Sequence, residues 1–240
     1  MRDYWEQRAH LNPAFYVDTS LDYDNPDMAS FLATGQKIVD VALDQGPVQP
    51  GGHGLAVEIG CGLGRICLAL ADRFDRVVGF DISPEMIRRG RELISDPRVE
   101  LRESDGSSLA GIEDGAADLV LSFTVFQHIP SVPVIAGYIE EAGRVLAPGG
   151  VLAFQWNNQP GERTWPLRRT LRAAGQRLGR GDAYGRDAAA FLGSRVSLAT
   201  IDAALARGGL TRVGLTNPGQ LFAWCWARRD GSPDTSRTAL

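Results

Sequence analysis

Three glycines at alternate positions follow a short apolar run, and this stretch constrains the fold more than any other. The run covers residues 55–59, and Gly60, Gly62 and Gly64 come directly after it. From Ile66 onwards, apolar residues recur at helical spacing. The pattern predicts a strand, a tight turn and a helix. Glycine lets the backbone of such a turn approach a ligand closely because it has no Cβ, and the start of the helix offers unpaired N–H groups.

Segments of strand length alternate with segments of helix length further along the chain. The predicted strands cover residues 55–60, 76–81, 99–103, 117–124 and 151–156, and the predicted helices about 64–73, 84–94 and 132–146. This alternation predicts a parallel sheet covered by helices. Ligands of such sheets bind beyond the carboxyl ends of the strands. The residues that follow predicted strands, and should meet at one edge, are Gly60, Asp81, Asp105, Phe123 to His128, and Trp156 with Asn157.

The beginning of the chain is irregular and rich in aromatic and acidic residues. Residues 3–10 fit a short helix that Asn12 and Pro13 end. A second helix is predicted from an N-cap at Asn25–Pro26 to about Gln45. Two interpretations of residues 1–24 stay open: a surface extension with packed aromatic side chains, or a lid over the glycine turn.

The alternation of strand-length and helix-length segments stops at residues 157–195, which are rich in arginine and glycine. Part of this segment, about 165–178, fits a basic amphipathic helix, and Trp165 lies near the expected pocket. The arginines could hold an anionic group of a substrate, such as a carboxylate or a phosphate, or they could form a solvated face. The sequence leaves both interpretations open.

The end of the chain has a helix and a hairpin pattern. Ser197 is predicted to cap a helix that Gly208 and Gly209 end. Residues 211–216 and 221–227 fit two strands of an antiparallel hairpin. The residues that follow the hairpin are polar, and we expect them to be disordered.

Composition narrows the classes of function. The formal net charge is −4, which gives no overall basic footprint for nucleic acid. No apolar run approaches the roughly 18 residues of a membrane span, and the first residues lack an apolar signal region, so we expect a cytoplasmic protein. Three cysteines are too few and too scattered for a disulfide framework or a zinc site, which predicts reduced thiols. Lys37 is the only lysine, a bias typical of a GC-rich bacterial genome.

Five motifs stand in order along residues 55–156. They are an E-x-G-x-G-x-G turn at 58–64, the acid Asp81 after the second strand, Asp105–Gly106 after the third, the fourth-strand segment 118–128 with its Gln-His-Ile sequence, and Leu-Ala-Pro-Gly-Gly at 146–150. In this order and spacing, the chain resembles the class I S-adenosylmethionine-dependent methyltransferases. The helix and hairpin at 197–228 fit the same family.

The resemblance implies a fold and a division of the chain. The fold is α/β, with a doubly wound, Rossmann-like seven-stranded sheet that is mostly parallel with a reversed last strand, and with an N-terminal helical lid. The implied regions are a lid or extension at residues 1–50, a methyltransferase domain at 51–228 and a disordered tail at 229–240. An acceptor-side insertion is expected at about 157–195.

The resemblance also implies S-adenosyl-L-methionine as the cofactor and S-adenosyl-L-homocysteine as the product. Asp81 would bind both ribose hydroxyls, which suit one bidentate carboxylate. Asp105 with Gly106 would meet the adenine amino group, and Glu58 would offset the positive charge of the cofactor. The complete set of predicted cofactor-binding residues is Glu58, Gly60, Cys61, Gly62, Asp81, Ile82, Met86, Asp105, Gly106, Phe123 and His128.

Methyl transfer from a sulfonium is an in-line displacement, in which the protein chiefly aligns the acceptor with the S–CH₃ bond. A general base is needed only where the acceptor must lose a proton. His128 is the candidate for that base, or else it is a positioning residue, and further candidates are Tyr4, His10 and Tyr16. We interpret Arg65 as a solvated side chain of the first helical turn. No metal is expected.

We expect a small-molecule acceptor, with methylation of oxygen slightly favoured over nitrogen or carbon, and neither a nucleic-acid nor a membrane partner. The oligomeric state stays open.

Three rival functions remain compatible with parts of the sequence. The first is an NAD-dependent oxidoreductase, whose fingerprint is G-x-G-x-x-G. Here the third glycine comes one residue early, and Arg65 stands where that glycine belongs. The second is a non-catalytic module with the same fold. The third is a nucleic-acid methyltransferase, which only the arginine-rich segment suggests.

Overall fold

A single sheet forms the centre of the part of the chain that the computed structural model describes, residues 1–161 and 189–231. Its strands are β1 (Leu55–Ile59), β2 (Arg76–Asp81), β3 (Val99–Glu103), β4 (Ala117–Ser122), β5 (Leu146–Trp156), β6 (Leu210–Thr216) and β7 (Ala223–Arg229). Their order across the sheet is β3-β2-β1-β4-β5-β7-β6. The predicted basic helix at 165–178, Trp165 and most of the predicted tail and insertion lie outside the described residues.

Helices connect and cover the strands. They are α1 (Arg2–Leu11), α2 (Pro13–Val17), α3 (Met28–Val39), α4 (Arg65–Leu70), α5 (Pro84–Leu93), α6 (Val132–Val145), α7 (Ala189–Leu192) and α8 (Leu198–Arg207). A π-helical turn at Asp40–Asp44 continues α3, and a 3₁₀ turn at Phe126–His128 follows β4. As predicted, Ser83 and Ser197 cap α5 and α8 through their side chains.

The direction of the strands confirms the predicted α/β fold. Strands β1 to β5 pair in parallel, whereas β7 runs antiparallel to both β5 and β6. The last strand is therefore the reversed one. Because β1 lies between β2 and β4, the strand order changes direction between β1 and β4. In an open sheet of this kind, that point is where a ligand crevice forms.

Apolar side chains cover both faces of the sheet. Along β4, Val120 belongs to the cluster that includes Ile139 of α6 and Leu205 of α8. Its neighbours on either side, Leu119 and Leu121, belong to the cluster on the opposite face, beneath α3 and α4. Strands that are buried on two faces read as continuous apolar runs, which explains why the sequence pattern of β4 is so clear.

Several element boundaries differ from the prediction, and two of them, in the N-terminal region, have a clear physical cause. The N-cap of α3 is Asp27, whose carboxylate accepts hydrogen bonds from the backbone N–H groups of Ala29 and Ser30 at 3.0 and 3.2 Å. The predicted cap, Asn25, instead belongs to a preceding turn, in which its N–H donates to Asp22 at 2.8 Å. At the other boundary, Pro13 begins α2 directly after Asn12 has ended α1, because the Asn12 side chain accepts from the N–H of Phe15.

Residues 148–150, which lie between a predicted helix and a predicted strand, are part of a strand. β5 begins at Leu146, which pairs with Ala117, and the register shifts before Leu119 pairs with Val151. The Pro-Gly-Gly sequence therefore forms an irregularity within β5 instead of a loop before it. In the described residues, no helix combines the length and the apolar character that crossing a membrane requires.

Candidate functional site

A cavity opens at the carboxyl ends of β1, β2 and β4, at the point where the strand order reverses. Of the predicted cofactor-binding residues, all except Asp105 and Gly106 line it. The described residues that line it without having been predicted to bind the cofactor are Met1, Trp5, Tyr16, Val17, Ile59, Arg65, Ile66, Thr124, Val125, Ile129 and Tyr138. For Tyr16, the sequence predicted only a catalytic role.

The glycine turn forms the floor of the cavity. Gly60, Gly62 and Gly64 have φ values of 75°, 54° and 83°, in the left-handed region that favours glycine. A Cβ on Gly62 would lie 2.8 Å from Val17 Cγ2, and one on Gly60 would clash with Val125. Side chains larger than hydrogen are therefore excluded by both conformation and space. The turn therefore has a backbone that a ligand can approach closely, and cofactor binding by these glycines stays a prediction.

Asp81 lies at the end of β2 with each carboxylate oxygen in a backbone hydrogen bond. The N–H of Gly62 donates to Oδ2 and that of Ser83 to Oδ1, both at 2.9 Å. Burial raises the pKa of Asp81. A carboxylate oxygen accepts more than one hydrogen bond, so this geometry orients the group and leaves acceptor capacity for a ligand with paired hydroxyls.

Asp105 and Gly106 lie outside the cavity lining. The exposed Asp105 carboxylate accepts from the N–H and hydroxyl groups of Ser107 and Ser108 at 2.7–3.1 Å, and the backbone hydrogen bond from Ser107 is the main cause that lowers its pKa. Gly106 lies against Ile82, whose Cδ1 would be 3.0 Å from a Cβ on Gly106. The adenine contact implied by the family resemblance therefore stays a prediction for both residues.

Glu58 is buried on the cavity wall and is only 2% exposed. The Cys67 thiol donates a hydrogen bond to Glu58 Oε2 at 3.0 Å. Burial raises the pKa of Glu58 to about 7, because the charged carboxylate loses its hydration. This carboxyl group is therefore ready to ionise when a cation enters the cavity.

Arg65 is buried, contrary to the interpretation of a solvated side chain. Its residue is 5% exposed, and its guanidinium forms an ion pair with Asp18 at 2.9 Å and a hydrogen bond with Thr34 Oγ1. The group also lies over the ring of Phe31, 5.4 Å from its centroid. Asp18, which follows α2, and two residues of α3 therefore enclose the Arg65 side chain. From the local sequence, this side chain is expected on the exposed surface of a helix. No local signal could have revealed partners so far away in sequence.

His128 lies in the 3₁₀ turn after β4. Its Nδ1 donates to the backbone carbonyl of Phe191, since a carbonyl oxygen can only accept. Burial lowers the pKa of His128, so the ring is neutral at neutral pH and its lone pair is on Nε2. The Trp5 ring meets the imidazole edge-on with centroids 5.4 Å apart, and the Phe191 ring is 4.9 Å away.

The N-terminal helix α1 crosses the strand ends beside the cavity. Glu6 accepts hydrogen bonds from the Ser83 hydroxyl at 2.6 Å and the Glu85 N–H at 3.2 Å, at the start of α5. Arg2 donates to the carbonyl of Ser104 at 2.6 Å. These contacts hold Trp5 in the cavity wall. The two further candidates in this region, Tyr4 and His10, do not line the cavity.

Tyr138, in α6, is a lining residue for which the sequence predicted no functional role. Its hydroxyl lies 3.2 Å from Ser104 Oγ, and burial raises its pKa. Trp156, which the sequence placed close to the pocket, is instead completely buried, and its indole N–H donates to the carbonyl of Val196 at 3.1 Å. A residue at a strand end can thus belong to the core.

The charges of the lining fit a cofactor with mixed charge better than a dinucleotide. Within the described lining, Glu58 and Asp81 are the acids and Arg65 is the one side chain of arginine or lysine. Two acids beside the glycine turn disfavour a pyrophosphate. S-adenosylmethionine has a sulfonium, an ammonium, a carboxylate and a ribose diol, and the two acids and one cation match these groups. The described residues hold no group of three or more side chains suited to a metal ion.

Comparison with known proteins gives the same assignment. Residues 57–154 match the family model described as a methyltransferase domain. The chain is 32% identical over 123 residues to trans-aconitate 2-methyltransferase of Methylobacterium radiotolerans, covering 50% of this chain and 45% of the relative. It is 29% identical over 167 residues to 2-methyl-6-phytyl-1,4-hydroquinone methyltransferase of Synechocystis, covering 68% and 49%. The chain thus spans about half the length of the curated relatives it matches.

Solved structures show the same fold. Magnesium protoporphyrin IX methyltransferase from Synechocystis, crystallised with bound S-adenosylhomocysteine, matches with a TM-score of 0.59 and 18% identity over 95% of this chain and 98% of that one. An S-adenosylmethionine-dependent methyltransferase from Mesorhizobium loti matches with a TM-score of 0.55 and 21% identity over 76% and 94%. Given the motifs and these similarities, residues 57–154 form a methyltransferase domain, and the described chain has the fold of S-adenosylmethionine-dependent methyltransferases, with its reversed last strand.

Proposed function

We propose that this protein transfers a methyl group from S-adenosylmethionine to a small-molecule acceptor. The observation that carries the proposal is the cavity at the strand-order reversal, whose wall combines the glycine turn with Glu58, Asp81 and His128. The names of the relatives support a small molecule, since they refer to trans-aconitate and to a hydroquinone.

The bound cofactor supplies an activated methyl group, and the protein supplies binding and orientation. In our proposal, Asp81 accepts hydrogen bonds from the ribose hydroxyls, and the glycine turn lies beneath the cofactor with Phe123 beside it. Ile82 and Met86 pack against the adenine. Glu58 lies on the methionine side, where it offsets positive charge.

His128 has one of two roles in the proposal. Its neutral ring has a lone pair on Nε2, so it can remove the proton of a hydroxyl acceptor as the methyl group is transferred. In the second role, the His128 ring positions α7 through the hydrogen bond that its Nδ1 donates to the carbonyl of Phe191. The first role favours an oxygen acceptor over nitrogen or carbon, and it is the one we propose.

We further propose that residues 1–50 act as a lid on a domain that comprises residues 51–228. Support comes from α1, which places Trp5 and Met1 in the cavity lining and is fixed to the start of α5 through Glu6. A lid in this position would exclude water from the transfer and would have to move when the product leaves.

We also propose that the protein works in the cytoplasm and has neither a nucleic-acid nor a membrane partner. The formal net charge of −4 disfavours phosphate backbones. Cys61, Cys67 and Cys225 are free and buried, which suits a reducing compartment. Salt-sensitive binding to RNA or DNA, or recovery in a membrane or secreted fraction, would contradict this part of the proposal.

The decisive experiment has two steps. Titration calorimetry with S-adenosylhomocysteine and with NAD should show binding of the first ligand alone, and saturating S-adenosylhomocysteine should raise the unfolding temperature. Methyl-labelled S-adenosylmethionine is then incubated with the protein and fractionated bacterial metabolite pools, and we expect one labelled small molecule. Binding of NAD alone would favour an oxidoreductase. Binding of the cofactor without any labelled product would favour a non-catalytic module.

A further inference from the structure

We propose that Arg65 binds the α-carboxylate of S-adenosylmethionine, and that Asp18 positions the guanidinium for this contact. The inference rests on the proposed use of the cavity by S-adenosylmethionine, and it assigns to Arg65 a role that its place in the glycine motif does not imply. Three observations support it: the charge of the lining, the free donors of the guanidinium and the position of Glu58.

The first observation concerns charge. A carboxylate that enters a cavity loses hydration, and such a charge is strongly destabilised there unless it has a partner of opposite charge. Arg65 is the one arginine or lysine among the described residues of the lining. Among the described residues, any carboxylate that binds in this part of the cavity therefore has Arg65 as its one candidate for a permanently charged partner.

The second observation concerns the donors that remain. Both polar contacts of Arg65, with Asp18 and with Thr34, use Nη1. Within the described part of the chain, neither Nε nor Nη2 of Arg65 donates a hydrogen bond. A guanidinium has five N–H donors in a planar fork, and its Nε–Nη2 edge matches the two oxygens of a carboxylate. The unused edge is thus suited to bidentate binding.

The third observation concerns the opposite charge of the amino-acid group. Glu58 interacts electrostatically with Arg65, but the two do not form an ion pair, and its carboxyl group has only the Cys67 thiol as a side-chain hydrogen-bond partner among the described residues. An α-ammonium beside Glu58 and an α-carboxylate beside Arg65 would satisfy both side chains at once. The cavity wall therefore has the two charges needed for a zwitterionic amino-acid end.

Asp18 and Phe31 fix the place of the guanidinium. Asp18 is the C-cap residue of α2 and is itself held by a hydrogen bond from the Ser20 hydroxyl at 2.6 Å. Phe31 is fully buried beneath the guanidinium. Such support keeps a long side chain in one geometry, which reduces the entropy lost when a ligand binds.

The test compares two ligands on two proteins by titration calorimetry. The ligands are S-adenosylhomocysteine and its decarboxylated analogue, the 3-aminopropyl thioether of 5′-deoxyadenosine, which lacks only the carboxylate. We expect Arg65→Met to weaken S-adenosylhomocysteine roughly tenfold or more, as for other hydrogen bonds to charged groups, and to change binding of the decarboxylated analogue by less than about twofold. Arg65→Lys should give an intermediate loss, again confined to the ligand with the carboxylate.

Asp18→Asn breaks the same ion pair from its other side and tests the positioning role. It should weaken S-adenosylhomocysteine more than the decarboxylated analogue, but by a smaller factor than Arg65→Met, because the guanidinium is still present and is only held less firmly. Similar effects on the two ligands in Asp18→Asn would contradict the positioning role. Equal loss of both ligands in the Arg65 variants would show a purely structural role and overturn the inference. Equal affinity of the native protein for the two ligands would also overturn it. If the native protein binds neither ligand, the proposed function itself fails.

Discussion

At the scale of single residues, the two acids of the cavity, Asp81 and Glu58, differ in the hydrogen bonds that their carboxyl groups accept. Asp81 has a backbone hydrogen bond on each oxygen, whereas Glu58 has only a thiol donor and is more deeply buried. Both pKa values are raised by burial. Asp81 is therefore a fixed acceptor, and Glu58 is a group whose charge depends on pH and on the ligand.

The role of Asp81 can be tested against that of Asp105. We expect Asp81→Asn to weaken S-adenosylhomocysteine by roughly tenfold or more, because the amide has one acceptor oxygen where the carboxylate has two, and its NH₂ group cannot accept from a ribose hydroxyl. Asp105→Asn is the matched control, since its carboxylate is exposed and bound to nearby serines. Calorimetry should find a small effect for the control. An equally large loss in Asp105→Asn would instead support the adenine contact that the family resemblance implies.

The raised pKa of Glu58 predicts that the stability of the ligand-free protein depends on pH. Its pKa is raised from 4.5 to about 7, so between these values the folded state retains a proton that the unfolded state has released. The contribution of this group to stability is therefore fully present below about pH 4.5 and is lost as pH rises through about 7. At about 1.4 kcal/mol per unit of pKa, the change is at most on the order of 3 kcal/mol.

Urea unfolding at pH 5 and pH 8 measures this effect. The native protein should lose stability relative to Glu58→Gln between the two values, since the neutral amide has no proton to release. Saturating S-adenosylhomocysteine should reduce the difference, because its ammonium favours the ionised carboxylate. Parallel pH profiles for the two proteins would show that Glu58 ionises normally.

The two roles of His128 predict different kinetics for two substitutions. His128→Asn retains a side-chain donor near the position of Nδ1 but has no basic nitrogen, whereas His128→Ala lacks both. If the ring is a general base, kcat should fall in both variants by about 10² or more, with little change in cofactor affinity. Recovery of kcat in the asparagine variant would show a positioning role. Steady-state kinetics with the labelled acceptor and calorimetry with S-adenosylhomocysteine separate these outcomes.

At the scale of elements, α1 is attached to the domain mainly at its polar side chains. It buries only one residue completely, Ala9, and its contacts with the start of α5 depend on Glu6. An element with so little buried apolar surface opens at lower cost than the rest of the fold. This is the property expected of a lid.

Removal of the Glu6 contacts should therefore speed release of the cofactor product. We expect Glu6→Ala to raise the dissociation rate of S-adenosylhomocysteine several-fold in stopped-flow measurements, because two hydrogen bonds, one of them to a helix start, are lost. Gln7→Ala is the control, since Gln7 is exposed on the same helix. Identical rates in the native protein and both variants would contradict the lid.

The sequence correctly predicted the elements that are marked by apolar runs or by capping residues within a few positions of one another. The strands at 76–81 and 99–103 have the predicted bounds, and Ser83 caps α5 as predicted. The cap of α3 was predicted two residues early, because Asp22 draws the N–H of Asn25 into a separate turn. Competition between two neighbouring acids for backbone donors cannot be resolved from periodicity.

At the scale of the whole molecule, the sheet and its reversed strand followed from the alternation of segments and from the family motifs. The path of the N-terminal region did not. Its cavity contacts join residues far apart in sequence, as when Asp18 pairs with Arg65 or Glu6 with Ser83. Such contacts depend on tertiary placement, which neither hydrophobic spacing nor capping patterns record. The candidate site was therefore predictable at individual residues on the strand ends. For α1 and α2, the sequence offered a lid only as one of two interpretations and gave none of these contacts.

The docking of α1 has a consequence for the order of synthesis. Glu6 precedes its partner Ser83 by 77 residues. Helix α1 therefore leaves the ribosome long before the start of α5, to which it binds, has been synthesised. We infer that α1 docks late, after the strands beneath it have assembled. Limited proteolysis of stalled nascent chains should cleave α1 until the chain extends well beyond β3. Protection of α1 in shorter chains would show that it folds independently of its partner.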